Sequence, residues 1–195
     1  MGHAVILVTM MQYLHSTQRQ AGFSLVELMV VIAISATLAG MGAYVAMQEL
    51  PLFQLKRAAR VLMGQMQQAR LNAIKEDRPW QIVFNQAANT YQLIDSGPDS
   101  TLGTADDIAE PLVSLSSFGK ISYGAGAATA TWSNGAITQQ SSVTFTSRGL
   151  CGPGSTFLTN QNNSISFAIT TSMSGGISLR KYNGILPFNP NNWMN

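Results

Sequence analysis

Residues 20–32 read QAGFSLVELMVVI, in which a Gly-Phe pair leads into an apolar run that contains one carboxylate, Glu27. From Leu28 to Met47 there are twenty residues without a formal charge. At ~1.5 Å per residue, a helix of that length crosses a hydrocarbon core of ~30 Å. An ionised group inside such a core costs at least ~2.5 kcal/mol unless it is paired. The position of Glu27 therefore predicts a helix that crosses a membrane and also packs against copies of itself.

The sequence AGFSLVELMVVIAISA (21–36) resembles the class III signal and N-terminal helix of type IV pilins and type II secretion pseudopilins. The resemblance implies that a prepilin peptidase cuts between Gly22 and Phe23, and that Phe23 becomes the N-methylated first residue. Glu27 then matches the glutamate at the family's fifth mature position. The new amine is cationic at neutral pH, with a pKa near ~7.7–8.0. Its pairing with Glu27 of a neighbouring subunit would neutralise both charges; the alternative is a Glu27 that reaches the lipid headgroups.

The helix is expected to continue past the apolar run, with a kink or a restart at Pro51. Beyond it, apolar residues recur at spacings of three and four, which predicts an amphipathic helix that packs on a sheet. This stripe extends to about Glu76 and comprises Leu52, Leu55, Ala59, Leu62, Met66, Ala69 and Ala73. Pro79 is expected to end the helix.

After Pro79 the pattern changes to short runs that are typical of strands. The candidate strands are residues 80–84, 90–95, 111–118, 128–132, 142–146, 164–170 and 176–182. Gly, Ser and Asn turns separate them, which favours antiparallel pairing. The predicted fold class is therefore α+β and pilin-like, with a long N-terminal hydrophobic helix (the stalk) packed on an antiparallel β-sheet head domain.

The helix end and two later blocks resemble the GspH/FimT domain in particular. Residues 55–84, LKRAARVLMGQMQQARLNAIKEDRPWQIVF, contain the family's ARxxAI run at 69–74, followed by a basic residue. VTFTSRG (143–149) and GGISLRKYNG (175–184) resemble a strand ending in an Arg-Gly turn and a C-terminal strand after Gly. The resemblance implies a minor pilin or pseudopilin of this type, with another minor pilin or pseudopilin as the competing interpretation.

The predicted organisation has four segments. They are a cleaved class III leader (1–22), a hydrophobic transmembrane and assembly helix (23–50), a GspH/FimT-like α+β head domain (51–184) and an extended C-terminal tail (185–195). In the tail, Phe188 and Trp193 could dock on the domain or on a partner, but a frayed end is the favoured interpretation.

Composition argues against an enzyme. The two histidines, His3 and His15, lie upstream of the proposed cut, so the mature chain would lack imidazole catalysis and imidazole metal ligands. Cys151 is the single cysteine, which excludes an intrachain disulfide. It is expected to be a small apolar residue in a Gly-rich turn, with an intermolecular bridge as the alternative. The net charge of +2 indicates little about partners.

The acidic segment DSGPDSTLGTADDIAE (95–110) is a candidate calcium loop. Clustered Asp with Gly, Ser and Thr can supply the oxygen ligands that Ca²⁺ needs, and major pseudopilins carry a calcium loop. The candidate ligands are Asp95, Asp99, Asp106 and Asp107. The spacing fits no EF-hand, and a solvated turn-rich loop without a cofactor is the favoured interpretation.

DNA binding for uptake in natural transformation is the alternative function. FimT-like relatives use a Gly-Arg-x-Arg run near the C-terminus, but the run that starts at Gly176 reads Gly-Ile-Ser-Leu. Arg148, Arg180 and Lys181 remain the candidate residues, although neighbours on a strand point to opposite faces. Six basic residues between 56 and 78 are expected to be a solvated helix face, or a patch for an acidic partner such as another subunit or nucleic acid.

The expected location is the bacterial inner membrane, crossed once, with the head in the periplasm and later in an envelope filament. The expected partners are other pilin or pseudopilin subunits and the prepilin peptidase, with no small-molecule substrate. Lys56, Arg57 and Arg60 follow the span and argue for the opposite orientation, but the processing motif places the leader in the cytoplasm. A single-span anchored β-domain that never polymerises is the remaining alternative. The filament in which the chain is expected to assemble is a secretion pseudopilus or a type IV pilus.

Overall fold

The computed structural model of the 195-residue chain describes residues 22–160, 165–185 and 187–194. Apart from Gly22, the predicted leader lies outside the described residues, so it stays a prediction. The chain divides into two compact units, of which one ends at Val45 and the other comprises Ala46–Asn195. All strands and buried residues described below belong to the second unit.

A single long helix, α1, comprises Leu25–Glu76. It runs through Pro51, so the predicted restart is wrong. Proline removes only one backbone donor, the N–H that would reach the carbonyl four residues earlier, and the first buried residue of the helix, Leu55, follows four positions later. The helix ends where Asp77 adopts a left-handed φ of 52° and Arg78 N–H donates to the Ala73 carbonyl at 3.3 Å. This closing bond resembles a Schellman motif, so α1 ends before Pro79.

The predicted stripe on the second half of α1 is confirmed. Six of its seven members are fully buried, Leu52 is half-buried, and Ala58 joins them; the buried set is Leu55, Ala58, Ala59, Leu62, Met66, Ala69 and Ala73. A spacing of three and four places these side chains on one face. Both sheets pack against this face of the helix.

Sheet A consists of five antiparallel strands. In chain order they are β1 (Trp80–Asn85), β2 (Thr90–Asp95), β3 (Ile108–Ala109), β4 (Val113–Ser114) and β6 (Ser142–Phe145). The order in the sheet is β3-β2-β1-β6, with β4 also paired to β2. Ile82 lies opposite Leu93 on one side and Val143 on the other, so a row of apolar side chains faces the core.

Sheet B has the order β10-β9-β8-β7-β5 and is also antiparallel. Its strands are β5 (Ile121–Tyr123), β7 (Gly154–Asn160), β8 (Ser166–Thr171), β9 (Ile177–Tyr182) and β10 (Trp193–Met194). Within the described residues, one long helix with two antiparallel sheets confirms the α+β class.

Two clusters of buried side chains form the core. The larger joins the stripe of α1 to both sheets, and its buried residues from sheet B are Ile121, Leu158, Phe167 and Ile169. The smaller lies on the other face of sheet B, because side chains alternate along a strand. It consists of Ala128, Phe157, Ala168, Tyr182 and Trp193. Sheet B is therefore covered on both faces.

Several local predictions are corrected. Residues 128–132 are not a strand; they belong to a loop over the smaller cluster, where the Trp132 ring packs edge-on against Trp193 at 5.8 Å. Within 111–118 only β4 is extended, because Ser114 caps a 3-10 turn at Leu115–Phe118. Strand β7 was not predicted. The tail residues 187–194 do not fray: β10 pairs with β9, and Trp193 is buried.

Candidate assembly and binding surfaces

The proposed new N-terminus lies at the start of α1. Ser24 caps the helix: its Oγ accepts a hydrogen bond from the Glu27 N–H at 3.1 Å, and its carbonyl accepts from Leu28 N–H at 3.1 Å. Glu27 is therefore the third residue of the helix, where the helix dipole favours a carboxylate. Both ion pairs found among the described residues involve Arg78, so the Glu27 carboxylate has no cationic partner there.

Every residue from Gly22 to Leu50 is exposed. The exposed side chains include Phe23, which is 82% exposed, and most of the aliphatic residues that follow it. α1 is the one helix in the described part of the chain that is long and apolar enough to cross a membrane. Contiguous apolar surface of this extent marks a membrane or protein interaction site.

The three candidate DNA-binding residues do not lie on one surface. Arg148 is exposed in the turn after β6. On β9, the Arg180 guanidinium carbon lies 4.8 Å from the centroid of the Trp132 ring, a cation–π contact on the side of the smaller cluster. Lys181 points to the opposite face, toward α1, where it lines a groove. The structure thus separates Arg180 from Lys181, as strand alternation predicts.

That groove lies between the second half of α1 and sheet B, and we call it the cationic groove. It has a volume of about 410 Å³ and is lined by Leu52, Phe53, Lys56, Arg60, Phe167, Leu179 and Lys181. Four of these lining side chains are apolar and three are cationic. Sequence reasoning treated the basic residues of α1 and β9 separately. The alternation of β9 contained the missing signal, since Lys181 shares a face with the core residue Leu179.

The acidic loop is closed by its own hydrogen bonds. Asp99 accepts from Thr101 N–H at 2.8 Å, Asp107 accepts from Gly103 N–H at 2.7 Å, and Asp106 accepts from Thr104 Oγ1 at 2.7 Å and from Asp99 N–H at 3.2 Å. The Thr104 hydroxyl, together with the Asp99 N–H, lowers the pKa of Asp106. Hydrogen bonds of this kind stabilise charged carboxylates without a metal.

Asp95 is separate from the other three candidate ligands. It is buried at the end of β2, where its carboxylate pairs with the Arg78 guanidinium and accepts from Gly97 N–H at 3.2 Å. No group of three or more His, Cys, Asp or Glu side chains that could hold a metal occurs in the described residues. Calcium binding stays a prediction, which calorimetry of the full chain with Ca²⁺ would test.

Arg70 has a structural role that sequence reasoning missed. Its Nε donates to the Gly149 carbonyl at 3.0 Å and its Nη2 to the Ser174 carbonyl at 3.3 Å. These carbonyls belong to the two turns that follow β6 and β8. At Gly175, where φ is 76°, a Cβ atom would lie 1.8 Å from the Gly149 carbonyl oxygen. The ARxxAI run, the Arg-Gly turn and the later Gly-Gly turn therefore meet at one place.

Cys151 lies beside the same turns. Its thiol is buried and donates to the Ser172 carbonyl at 3.3 Å, and burial raises its pKa. A buried, protonated thiol is a poor candidate for an intermolecular disulfide. The geometry therefore favours the small apolar role that the sequence predicts.

Comparisons with known proteins show what the chain is similar to. The Prokaryotic N-terminal methylation motif matches residues 17–43. A search of curated proteins returned no significant match. Among solved structures, the chain is similar to the minor pseudopilin EpsH from the Type 2 Secretion System of Vibrio cholerae, at 10% identity and a TM-score of 0.48, over 65% of this chain and 95% of that one. It is also similar to the type IV minor pilin FimU of Pseudomonas aeruginosa, at 18% identity and a TM-score of 0.44, over 64% of this chain and 87% of that one.

An exposed apolar helix whose first part lies within a methylation motif, followed by an antiparallel α+β head, defines a subunit of the pilin and pseudopilin class. The family described as Type II transport protein GspH matches residues 58–175, which are more than half of the chain. The chain belongs to the GspH family. Members of this family are structural pilin or pseudopilin subunits rather than enzymes.

Proposed function

We propose that the chain is a minor pilin or pseudopilin that is assembled into a type II secretion pseudopilus or a type IV pilus. The precursor crosses the bacterial inner membrane once, with its head in the periplasm. Prepilin peptidase cuts it between Gly22 and Phe23, and Phe23 is N-methylated. The chain is a substrate of that peptidase rather than an enzyme.

One observation carries this proposal: Glu27 is the single carboxylate between Gly22 and Met47, where every residue is exposed, and it has no cationic partner among the described residues. Cleavage would create an amine at Phe23, four positions before it. The amine of one copy would pair with Glu27 of a neighbour inside the apolar bundle. That pairing would neutralise the ammonium and the carboxylate, each of which is costly alone in hydrocarbon. It would also fix the axial register between subunits.

The test replaces Glu27 by Leu, with Glu49→Gln as the control. Glu49 is also an exposed carboxylate of α1, but it lies beyond the uncharged run. We expect E27L to be inserted and cleaved normally, yet to fall at least about tenfold in sheared filament fractions, because the interface carboxylate is lost. E49Q should assemble like the parent. Normal incorporation of E27L would contradict the proposal.

Mass spectrometry of the mature N-terminus tests the processing step separately. The proposed pathway yields N-methyl-phenylalanine from Phe23. An unprocessed N-terminus would instead indicate an anchored β-domain that does not polymerise.

DNA binding is the second candidate function, and one observation favours it. The cationic groove gathers Lys56, Arg60 and Lys181 at one place, as a phosphate-binding surface requires. Arg148 and Arg180 lie elsewhere. We expect any DNA binding to weaken steeply between about 50 and 200 mM salt. Lys181→Ala should then weaken it more than Arg180→Ala, because the Arg180 guanidinium is already stacked on Trp132. Absence of binding at about 50 mM salt would end this candidate.

A further inference from the structure

The side chains around the cationic groove carry charges that their own chain leaves unpaired. Both ion pairs found among the described residues involve Arg78. Lys56, Arg60 and Lys181 take part in neither of them. An exposed cation is satisfied by water, so these charges alone do not indicate a partner. Their position beside exposed apolar surface does.

Phe53 is an exposed aromatic ring among these cations. It is 63% exposed and lines the cationic groove. Together with Lys56 and Arg60 it also lines a second groove of about 390 Å³, whose other lining residues, Arg57 and Val61, belong to α1 as well. The two grooves therefore form one continuous surface that is both apolar and cationic. Exposed aromatic and basic side chains in combination are typical of a membrane interface.

This surface follows closely after the uncharged run of α1. Phe53 lies six residues after Met47, where that run ends, and Lys56 lies nine residues after it. At ~1.5 Å per residue these separations are about 9 Å and about 14 Å along the helix axis. The headgroup region extends roughly 5–8 Å beyond the hydrocarbon core, and long side chains of a helix point back toward its N-terminus. The Lys56 side chain therefore extends toward the headgroups.

The net charge of the surface is positive. One acid, Glu49, stands beside four cations in this region, which leaves an excess of three positive charges; the cations are Lys56, Arg57, Arg60 and Lys181. Of these, Arg57 already contacts a ring of the head, with its guanidinium carbon 5.7 Å from the centroid of Phe118. Basic side chains close to a membrane-spanning helix attract anionic lipid headgroups.

We propose that the cationic groove binds the headgroup of an anionic phospholipid in the leaflet next to the head. Lys56, Arg60 and Lys181 bind the phosphate, while Leu52 and Phe53 contact the glycerol and the upper acyl chain. The proposal rests on the membrane-inserted precursor of the proposed function, and it requires no second copy of the chain. It also gives a role to basic residues that follow the span on the side that the positive-inside rule disfavours.

Phospholipid fits this surface better than nucleic acid does. Both ligands carry phosphate, which the cations of the groove would bind equally well. Only the lipid also carries aliphatic chains, and these cover the exposed Phe53 ring. DNA is therefore the competing ligand in the experiment.

The experiment measures how well a bilayer protects position 53. The full-length chain with Cys151→Ser and Phe53→Cys is placed in nanodiscs of phosphatidylcholine, or of phosphatidylcholine mixed with phosphatidylglycerol. An uncharged, water-soluble maleimide should label it at least about threefold more slowly in the mixed discs, because headgroups held by the cations cover the site. Phe53 is replaced in both kinds of disc, so their comparison isolates the effect of the lipid charge.

Leu71→Cys in the same background is the matched control. Leu71 is 65% exposed, which is close to the 63% of Phe53. It lies 18 residues further along α1, or about 27 Å. Its labelling rate should be the same in both kinds of disc.

Charge variants test whether the groove itself is responsible. Lys56→Gln with Arg60→Gln should bring the ratio of the two labelling rates of the Phe53→Cys chain close to one. Lys75→Gln with Arg148→Gln removes the same net charge from exposed positions outside the groove. This second pair should leave the ratio unchanged. An equal loss of protection in both pairs would overturn the proposal, since only the total charge of the chain would then matter.

Other outcomes also overturn the proposal. Equal rates for the Phe53→Cys chain in both kinds of disc would do so, and so would protection that survives Lys56→Gln with Arg60→Gln. Protection by duplex DNA in phosphatidylcholine discs, with none by phosphatidylglycerol, would assign the groove to nucleic acid. If the chain co-elutes with the discs but shows no lipid-dependent protection, the lipid contact fails while the proposed function stands. If the chain does not enter the discs, both fail.

Discussion

The two halves of α1 are both rich in apolar residues, yet they use them differently. Between Gly22 and Leu50 every residue is exposed, and apolar side chains occur all round the helix. Between Leu55 and Ala73 the buried residues form one stripe, and charged or amide side chains occupy most of the remaining surface, with Leu71 as an exposed apolar exception. An apolar helix without a polar face needs lipid or other subunits around it, whereas a striped helix needs one core. Hydrophobicity alone does not distinguish the two; periodicity does.

The largest expected effect comes from replacing one leucine in each half of the helix by alanine. Leu62→Ala should lower the free energy of unfolding of the head by about 2–5 kcal/mol, because it leaves a cavity in the larger core. Leu62 is fully buried there, whereas Leu38 is 65% exposed. Leu38→Ala should leave head unfolding unchanged. Thermal unfolding of the full chain in detergent, followed by circular dichroism, measures both. Equal effects would mean that the two halves do not differ in this way.

Arg70 tests whether the buried half also depends on a polar contact. Arg70→Ala should cost about 1–3 kcal/mol, because it leaves the carbonyls of Gly149 and Ser174 without their donor. Gln67→Ala is the control, since Gln67 is exposed on the same helix. Chemical denaturation of the full chain in detergent gives both values. A negligible effect of Arg70→Ala would remove the role assigned to this residue.

The smallest expected effect concerns a buried hydroxyl. Tyr91 faces the larger core, its Oη has no hydrogen-bond partner in the described chain, and burial raises its pKa to about 12. Because the folded pKa lies above the unfolded value of 10.0, this contribution to stability is complete below pH 10 and is lost as the pH rises through 12.

Tyr91→Phe should therefore be neutral or slightly stabilising at pH 7, within about 1 kcal/mol, and should lose less stability between pH 10 and 12. Tyr44→Phe is the control, because Tyr44 is 65% exposed. Unfolding curves at several pH values test the pair. An unchanged alkaline loss in Tyr91→Phe would show that other groups, such as Tyr123, whose pKa burial also raises, govern it.

Sequence patterns predicted the elements with strong periodicity. The stripe of α1 and strands β1, β2, β6, β8 and β9 agree with the structure to within about two residues. Strand β7 was missed because it is buried on both faces, with Leu158 toward α1 and Phe157 toward the smaller cluster. Such a strand lacks the polar–apolar alternation that marks a half-buried one.

Two further errors arose from contacts between distant residues. Residues 128–132 have strand-like composition, but Trp132 packs on Trp193, and no local pattern indicates that contact. The cationic groove was missed for the same reason, since Lys56 and Lys181 are 125 positions apart in the sequence. The stalk features could be predicted because they lie within one short motif. The head surfaces could not, because the fold creates them.

The order of strands in sheet B has a consequence for how the head matures. β7, β8, β9 and β10 are neighbours both in the sheet and along the chain, so each new strand can pair with the one synthesised just before it. Local pairing of this kind has a low entropic cost of loop closure. Trp193 arrives last of the buried aromatic residues and completes the smaller cluster. A chain that ended before Trp193 would leave Phe157 and Tyr182 without the ring that packs against both of them.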